Sequence, residues 1–179
     1  MDKSDENVWH LGEFEGEGRF AEGEEVTAEV DETQRRLHAR LHSGGHLIDM
    51  AVGLIGLGLK PSKGVHFPGN CAVEYFGNIE IGEREALMER LNVMMGEIES
   101  STAEQVDVHI YTYEEAQAAI EMPDYLPAGR PVRYVRLATS DKGSPCGGTH
   151  VKHVNEIGPI RITKIQKKGK AIRLSYEIA

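Results

Sequence analysis

From Glu32 to about Leu57 the apolar positions fall three or four apart, with Leu37, Leu41, Leu47, Ile48 and Val52 on one side. That period predicts an amphipathic helix. Asp31 or Thr33 is placed to cap its start, and Gly56, Gly58 and Pro61 to end it. A second helix is expected over 83–100, where Leu87, Leu91, Met94 or Met95, and Ile98 share a face. Elsewhere the period drops to two, which predicts strands over 8–11, 25–30, 72–76, 105–112 and 132–138. Lys63-Gly64 reads as loop, as does 127–131. A brief helix over 114–121 closes on Met122-Pro123, and 160–165 with 171–178 form a hairpin across Lys167-Lys168-Gly169-Lys170. The order of elements implies an α+β fold, a two-layer, mostly antiparallel sheet covered by two longer helices. Residues 1–31 are expected to add a short N-terminal β segment and 32–179 to form the main domain.

The 179 residues are 40% hydrophobic, enough for a core that needs no disulfide. The two cysteines, Cys71 and Cys146, are far apart in sequence and suggest a reducing compartment. Cys71, beside a predicted strand, reads as a buried apolar residue. The acidic Met1–Asp31 stretch has no apolar run of signal-peptide type, and no stretch reaches membrane-spanning length, so a cytoplasmic protein is expected. The net charge of −9 is unevenly spread, because eleven Lys/Arg face three acids from Arg130 onward. Such an asymmetry fits either a basic face for phosphates or lysine-blunted strand edges.

Chemistry concentrates at two motifs, His42-Ser43-Gly44-Gly45-His46 and Cys146-Gly147-Gly148-Thr149-His150. His42 and His46, four apart on a helix, project from one face. Cys146 and His150 flank a Gly-Gly that permits a tight turn. Three imidazoles and one thiolate are the donors of a tetrahedral zinc site, His42, His46, Cys146 and His150. Spacing alone also admits His38 in the helical pair and His153 in place of His150; partial exposure, or a hydrogen bond to a ligand, is the alternative for each. Glycines within a helix cost about 0.8–1.0 kcal/mol each relative to alanine. Close approach of another group would offset that cost at Gly44-Gly45, and a simple packing role is the alternative.

Arg35-Arg36, His42-Ser43-Gly44-Gly45-His46-Leu47, Cys146-Gly147-Gly148-Thr149-His150-Val151 and Glu156-Ile157-Gly158 together resemble the editing domain of alanyl-tRNA synthetases, and more closely the free-standing AlaX trans-editing proteins. Gly23-Glu24-Glu25-Val26, with Ala28, Val30 and Asp31, is similar to the segment that joins the family's glycine-rich barrel to its editing core. The resemblance covers about residues 20–179. The related threonyl-tRNA synthetase editing domain has a different cysteine loop. The resemblance implies a two-layer α+β domain, Zn²⁺ on His42, His46, Cys146 and His150, and hydrolysis of tRNA(Ala) mischarged with serine or glycine. It places the amino-acid pocket near Ser62-Lys63-Gly64, with Ser62 where the family has glutamine. The family's H-T-A-x-H core is here His42-Ser43-Gly44-Gly45-His46, and the barrel segment is short.

Within that reading Ser43 and Thr149 are hydroxyl candidates for the amino-acid pocket, and Lys63 or His66 for the terminal adenosine or its phosphate. Solvated loop roles are the alternatives for Lys63 and His66. Four protein ligands describe a closed zinc, so the metal either takes part in ester hydrolysis or shapes the site. Two rival functions follow. One is a non-catalytic zinc-stabilised tRNA-binding module; the other is a metal-dependent hydrolase of small esters or amides.

Overall fold

The computed structural model describes residues 10–101, 105–120, 122–124, 126–137 and 143–179. Of the expected elements, Val8 and Trp9, Glu121 and Ala138 lie outside the described residues. The chain divides into two compact units, Met1–Val30 and Asp31–Ala179. In the first, residues 10–30 contain turns and no strand. Phe14 and Phe20 meet edge to face at 5.1 Å, with the Arg19 guanidinium over Phe14. The strand expected over 25–30 does not form. Alternation gives a residue a side to face, but a strand also needs a ladder partner, and Val26 and Val30 stay exposed without one.

The second unit begins with α1 (Glu32–Ile55). The Asp31 carboxylate accepts from the Gln34 N–H at 3.0 Å, the usual device for satisfying a helix start. Gly56, at φ 73°, ends the helix as its N–H donates to the Gly53 carbonyl. The apolar face buries Leu41, Leu47, Ile48 and Val52 as the period requires, and Leu37 packs at its margin. Helix α2 (Arg84–Ser101) buries Leu87, Leu91 and Met95. The short α3 (Tyr113–Ala119) starts with a capping box formed by Thr112 and Glu115.

The strands form two antiparallel sheets. In the first, β1 (Lys60–Phe67), β2 (Asn70–Phe76), β7 (Ala171–Ile178) and β6 (Ile160–Lys168) lie in the order β1-β2-β7-β6. The second has the order β3-β4-β5 and comprises β3 (Val106–Tyr111), β4 (Val132–Leu137) and β5 (Ser144–Pro145). Helix α1 packs on β1, β2 and β7, while α2 packs on β6 and against α1. This is the expected two-layer α+β arrangement with two longer helices on antiparallel sheets. One expected loop is a strand. Residues around Pro61 and Lys63-Gly64 form edge strand β1, with a register shift between Pro61 and Lys63. An edge strand tolerates a proline that a central strand would not, and its exposure on both faces erases the alternation by which strands are read. A second irregularity falls between Ile162 and Lys164 of β6, the other edge strand of this sheet. Asn92 of α2 meets both backbone groups of Ile162, donating to its carbonyl at 3.1 Å and accepting from its N–H at 2.8 Å.

Candidate metal centre

His42 and His46 leave the middle of α1 from one face, and the loop after β5 brings Cys146 and His150 against them. The ligating atoms of the four all lie within 4.8 Å of one another, the group of metal-ligating side chains found among the described residues. Cys146 Sγ is 3.4 Å from His42 Nε2 and 3.4 Å from His150 Nε2. A four-coordinate zinc with Zn–N near 2.0 Å and Zn–S near 2.3 Å holds its nitrogen and sulfur donors about 3.5 Å apart. The chain therefore sets these donors at the spacing a metal ion requires. His38 and His153 stand outside the group. His38 meets Phe67 edge to face at 6.3 Å, and exposed His153 donates its backbone N–H to Glu156 at 2.9 Å.

Neighbours hold two of the four side chains, His150 and Cys146. Ser43 is wholly buried, and its Oγ lies 3.1 Å from His150 Nδ1 while accepting from the Val151 N–H at 3.1 Å. That contact turns the other ring nitrogen, Nε2, toward Cys146. Ser43 is therefore not among the residues that line the cavity beside the site; it holds His150, a candidate ligand, from behind. The cysteine loop is held by Arg133 of β4, whose guanidinium donates to the carbonyls of Cys146 at 2.7 Å and Gly148 at 2.9 Å. The Cys146 N–H donates back to the Arg133 carbonyl at 2.9 Å. Gly148 must be glycine, because a Cβ there would fall 2.3 Å from the His42 ring. The helical glycines have the same explanation. A Cβ on Gly44 would meet Ile160 at 2.9 Å and Ile178 at 3.0 Å, and one on Gly45 would meet His66 at 2.3 Å.

The electrostatics keep the imidazoles neutral, the state in which they ligate metals. Burial, then His42 and His66, then Arg133 push His46 down to about 3. Burial, then the neighbouring imidazoles and Arg133 push His150 down to about 3 as well. His42 is lowered by burial against a raising hydrogen bond to the Thr149 backbone. His66 falls to about 4 through burial and the His42 ring stacked on it at 4.8 Å. Burial raises the Cys146 thiol, an effect that a bound cation reverses.

The site has one open side. A cavity of about 910 Å³ is lined there by His42, Thr149, Lys63 and His66, and also by Lys168 and Arg173. Lys63, His66 and Thr149 thus reach the cavity, whereas Ser43 does not. Glu74 accepts from both Lys168 at 2.9 Å and Arg173 at 2.7 Å, which ties the basic wall across three strands. The sequence motifs do not include Arg133, although a signal exists. It shares the inward face of β4 with Val135 and Leu137, and a charge among inward positions asks for a partner. Tyr176 gives no such signal, since an aromatic in a strand reads as core.

Residues 132–174 match the family model described as "Threonyl and Alanyl tRNA synthetase second additional domain". The chain is 30% identical over 173 residues to the alanine–tRNA ligase of Thermoanaerobacter sp. (strain X514), covering 92% of this chain and 18% of the ligase. It is 27% identical over 178 residues to the ligase of Corynebacterium jeikeium (strain K411), covering 97% of this chain and 19% of that protein. It is also 25% identical over 164 residues to the alanyl-tRNA editing protein AlaX-M of Methanosarcina barkeri (strain Fusaro / DSM 804), covering 86% of this chain and 63% of that one. The chain thus spans about a fifth of the length of the ligases it matches. Among the described residues no helix is long and apolar enough to cross a membrane. By these matches the chain resembles the AlaX-type alanyl-tRNA editing proteins, as its two histidine-bearing motifs imply.

Proposed function

We propose that this chain is an aminoacyl-tRNA hydrolase that acts in trans in the cytoplasm on tRNA(Ala) mischarged with serine, and secondarily with glycine. The observation that carries the reading is the donor set of His42, His46, Cys146 and His150 beside a basic cavity lined by Lys63 and Thr149. Zinc fits the donors, and when bound it supplies Lewis acidity beside the cavity. The chain's own residues do the rest. Arg133 and Ser43 fix the donors. Lys63, with the Lys168–Glu74–Arg173 wall behind it, gives the cavity a positive charge suited to the phosphates of an RNA end. Thr149, exposed on the cavity wall, offers a hydroxyl to the aminoacyl group.

Such an activity answers a discrimination problem. A pocket that selects alanine cannot strongly reject serine, which adds only a hydroxyl, so a second hydrolytic site is needed. The test is release of amino acid from Ser-tRNA(Ala) compared with Ala-tRNA(Ala), with zinc quantified in the same preparation. Rapid loss of serine with alanine spared, at about one zinc per chain, is the expected result. Zinc without hydrolysis above the buffer rate would leave a tRNA-binding module instead.

A further inference from the structure

His66 lies outside the tetrad, yet the fold fixes its ring more firmly than a cavity-lining side chain needs. Tyr176 Oη donates its proton to the Leu41 carbonyl at 2.7 Å. The same oxygen lies 2.7 Å from His66 Nδ1, and with its proton committed it acts there as acceptor. The His66 proton is therefore on Nδ1, and Nε2 carries the lone pair. Two glycines seat the ring. A Cβ on Gly45 of α1 would lie 2.3 Å from its Cε1, and a Cβ on Gly64 of β1 would lie 2.3 Å from Nε2. The His42 ring covers one face. Gly64 and His66 both line the cavity. Nε2 has no hydrogen-bond partner among the described residues.

We propose that His66 is a specificity residue whose Nε2 accepts a hydrogen bond from the side-chain hydroxyl of the aminoacyl group. The inference rests on the editing reading above and names its discriminating contact. Of the two hydroxyl candidates for the pocket, Ser43 is already committed to His150 and Val151 and lies outside the cavity that Thr149 and His66 line. A ring locked as an acceptor suits a hydroxyl donor such as serine. With alanine the same nitrogen, cut off from bulk water by the bound substrate, is left without a donor, and this penalises the cognate amino acid. Glycine also lacks the hydroxyl, so it enters without this contact. Tyr176 is the positioning residue, because its hydroxyl sets which ring nitrogen bears the proton.

The experiment compares wild type, His66→Ala and Tyr176→Phe, each checked for zinc content and far-UV circular dichroism. Hydrolysis is read on Ser-tRNA(Ala) and Gly-tRNA(Ala). Binding is read separately, by calorimetry with the 3′-serylamino and 3′-alanylamino derivatives of 3′-deoxyadenosine. For His66→Ala, kcat/KM on the seryl substrate should fall on the order of 10- to 100-fold, while the glycyl substrate changes little and zinc is retained. Tyr176→Phe should give a smaller loss of the same kind. The nitrogen-15 imidazole spectrum of wild type should show a protonated Nδ1 in His66, and that of Tyr176→Phe a mixture. Equal losses on both substrates would overturn the proposal, as would a wild-type spectrum with the proton on Nε2. Should wild type hydrolyse neither substrate, the editing reading fails by itself. The inference then stands only if wild type binds the seryl derivative over the alanyl one and His66→Ala abolishes that preference; equal binding overturns it.

Discussion

A half-buried acid and a buried hydroxyl show how much single residues decide here. Asp49, one turn beyond His46, accepts a hydrogen bond from the hydroxyl of the buried Tyr75. Burial raises its carboxyl to about 6 from 3.8, against the lowering effect of that bond. The folded state thus holds the proton more tightly than the unfolded one. Its contribution to stability is fully present below about pH 3.8 and is lost as pH rises through about 6. A rise of that size corresponds to roughly 2–3 kcal/mol. Asn keeps an acceptor for Tyr75 and cannot ionise. Asp49→Asn is therefore expected to gain about 2–3 kcal/mol on wild type between about pH 4 and about pH 8, measured by urea unfolding at both; a constant difference would contradict it. Ser43→Ala acts on the metal instead. It removes the partner of His150 Nδ1, and loss of such an orienting contact weakens metal binding about 10- to 100-fold. Competition with a chromophoric chelator measures that directly. That His42, His46, Cys146 and His150 come together is legible in the two motifs, although their spacing alone also admits His38 and His153. The roles of Ser43 and Arg133 are not, since a hydroxyl or guanidinium shows its partner only after strands and helix have met.

Among the elements, α1 carries the most information and the most conflict. Its three glycines, Gly44, Gly45 and Gly53, lower helix propensity, yet they are not equivalent. A Cβ on Gly53 would have nothing within 4 Å, whereas one on Gly45 would run into the His66 ring. Gly53→Ala should stabilise the protein by about 0.5–1 kcal/mol through propensity alone. Gly45→Ala should destabilise it by about 1–3 kcal/mol by forcing the ring out of its slot. Thermal unfolding of the two variants side by side separates these cases, and equal effects would refute the slot. A different coupling joins α2 to β6. Asn92 satisfies both backbone groups of Ile162 at the register shift, so Asn92→Leu should cost about 1–3 kcal/mol by leaving them unpaired, read as a lower urea midpoint. The long helices are readable because they bury one face and keep their period, and the β6–β7 hairpin because Lys167-Lys168-Gly169-Lys170 marks its turn. Strand β1 is not, because an exposed edge has no period to show. The alternating stretch over 25–30 misleads in the opposite direction, for it has the period and lacks the partner.

At the scale of the Asp31–Ala179 unit, the question is whether the metal holds the fold or the fold holds the metal. In small zinc modules the ion replaces a core, and removal unfolds them. This unit has a core that runs from Leu41 and Ile48 of α1 through Leu91 and Met95 of α2 to Ile162, Ile172 and Leu174 of the larger sheet. None of those residues is a metal donor. The two halves of the tetrad are also tied without an ion by Ser43 to Val151, while Arg133 holds the Cys146 loop to β4. Chelation should therefore remove the metal's binding energy and leave the fold. At free zinc about a thousandfold above Kd that energy contributes about 4 kcal/mol. The expected result of adding chelator is a lower unfolding midpoint with helical circular dichroism unchanged at about 25 °C. With the dichroism unchanged, three neutral imidazoles and a half-buried thiol stand preformed without the ion; collapse of the dichroism on chelation would make the metal a structural staple instead.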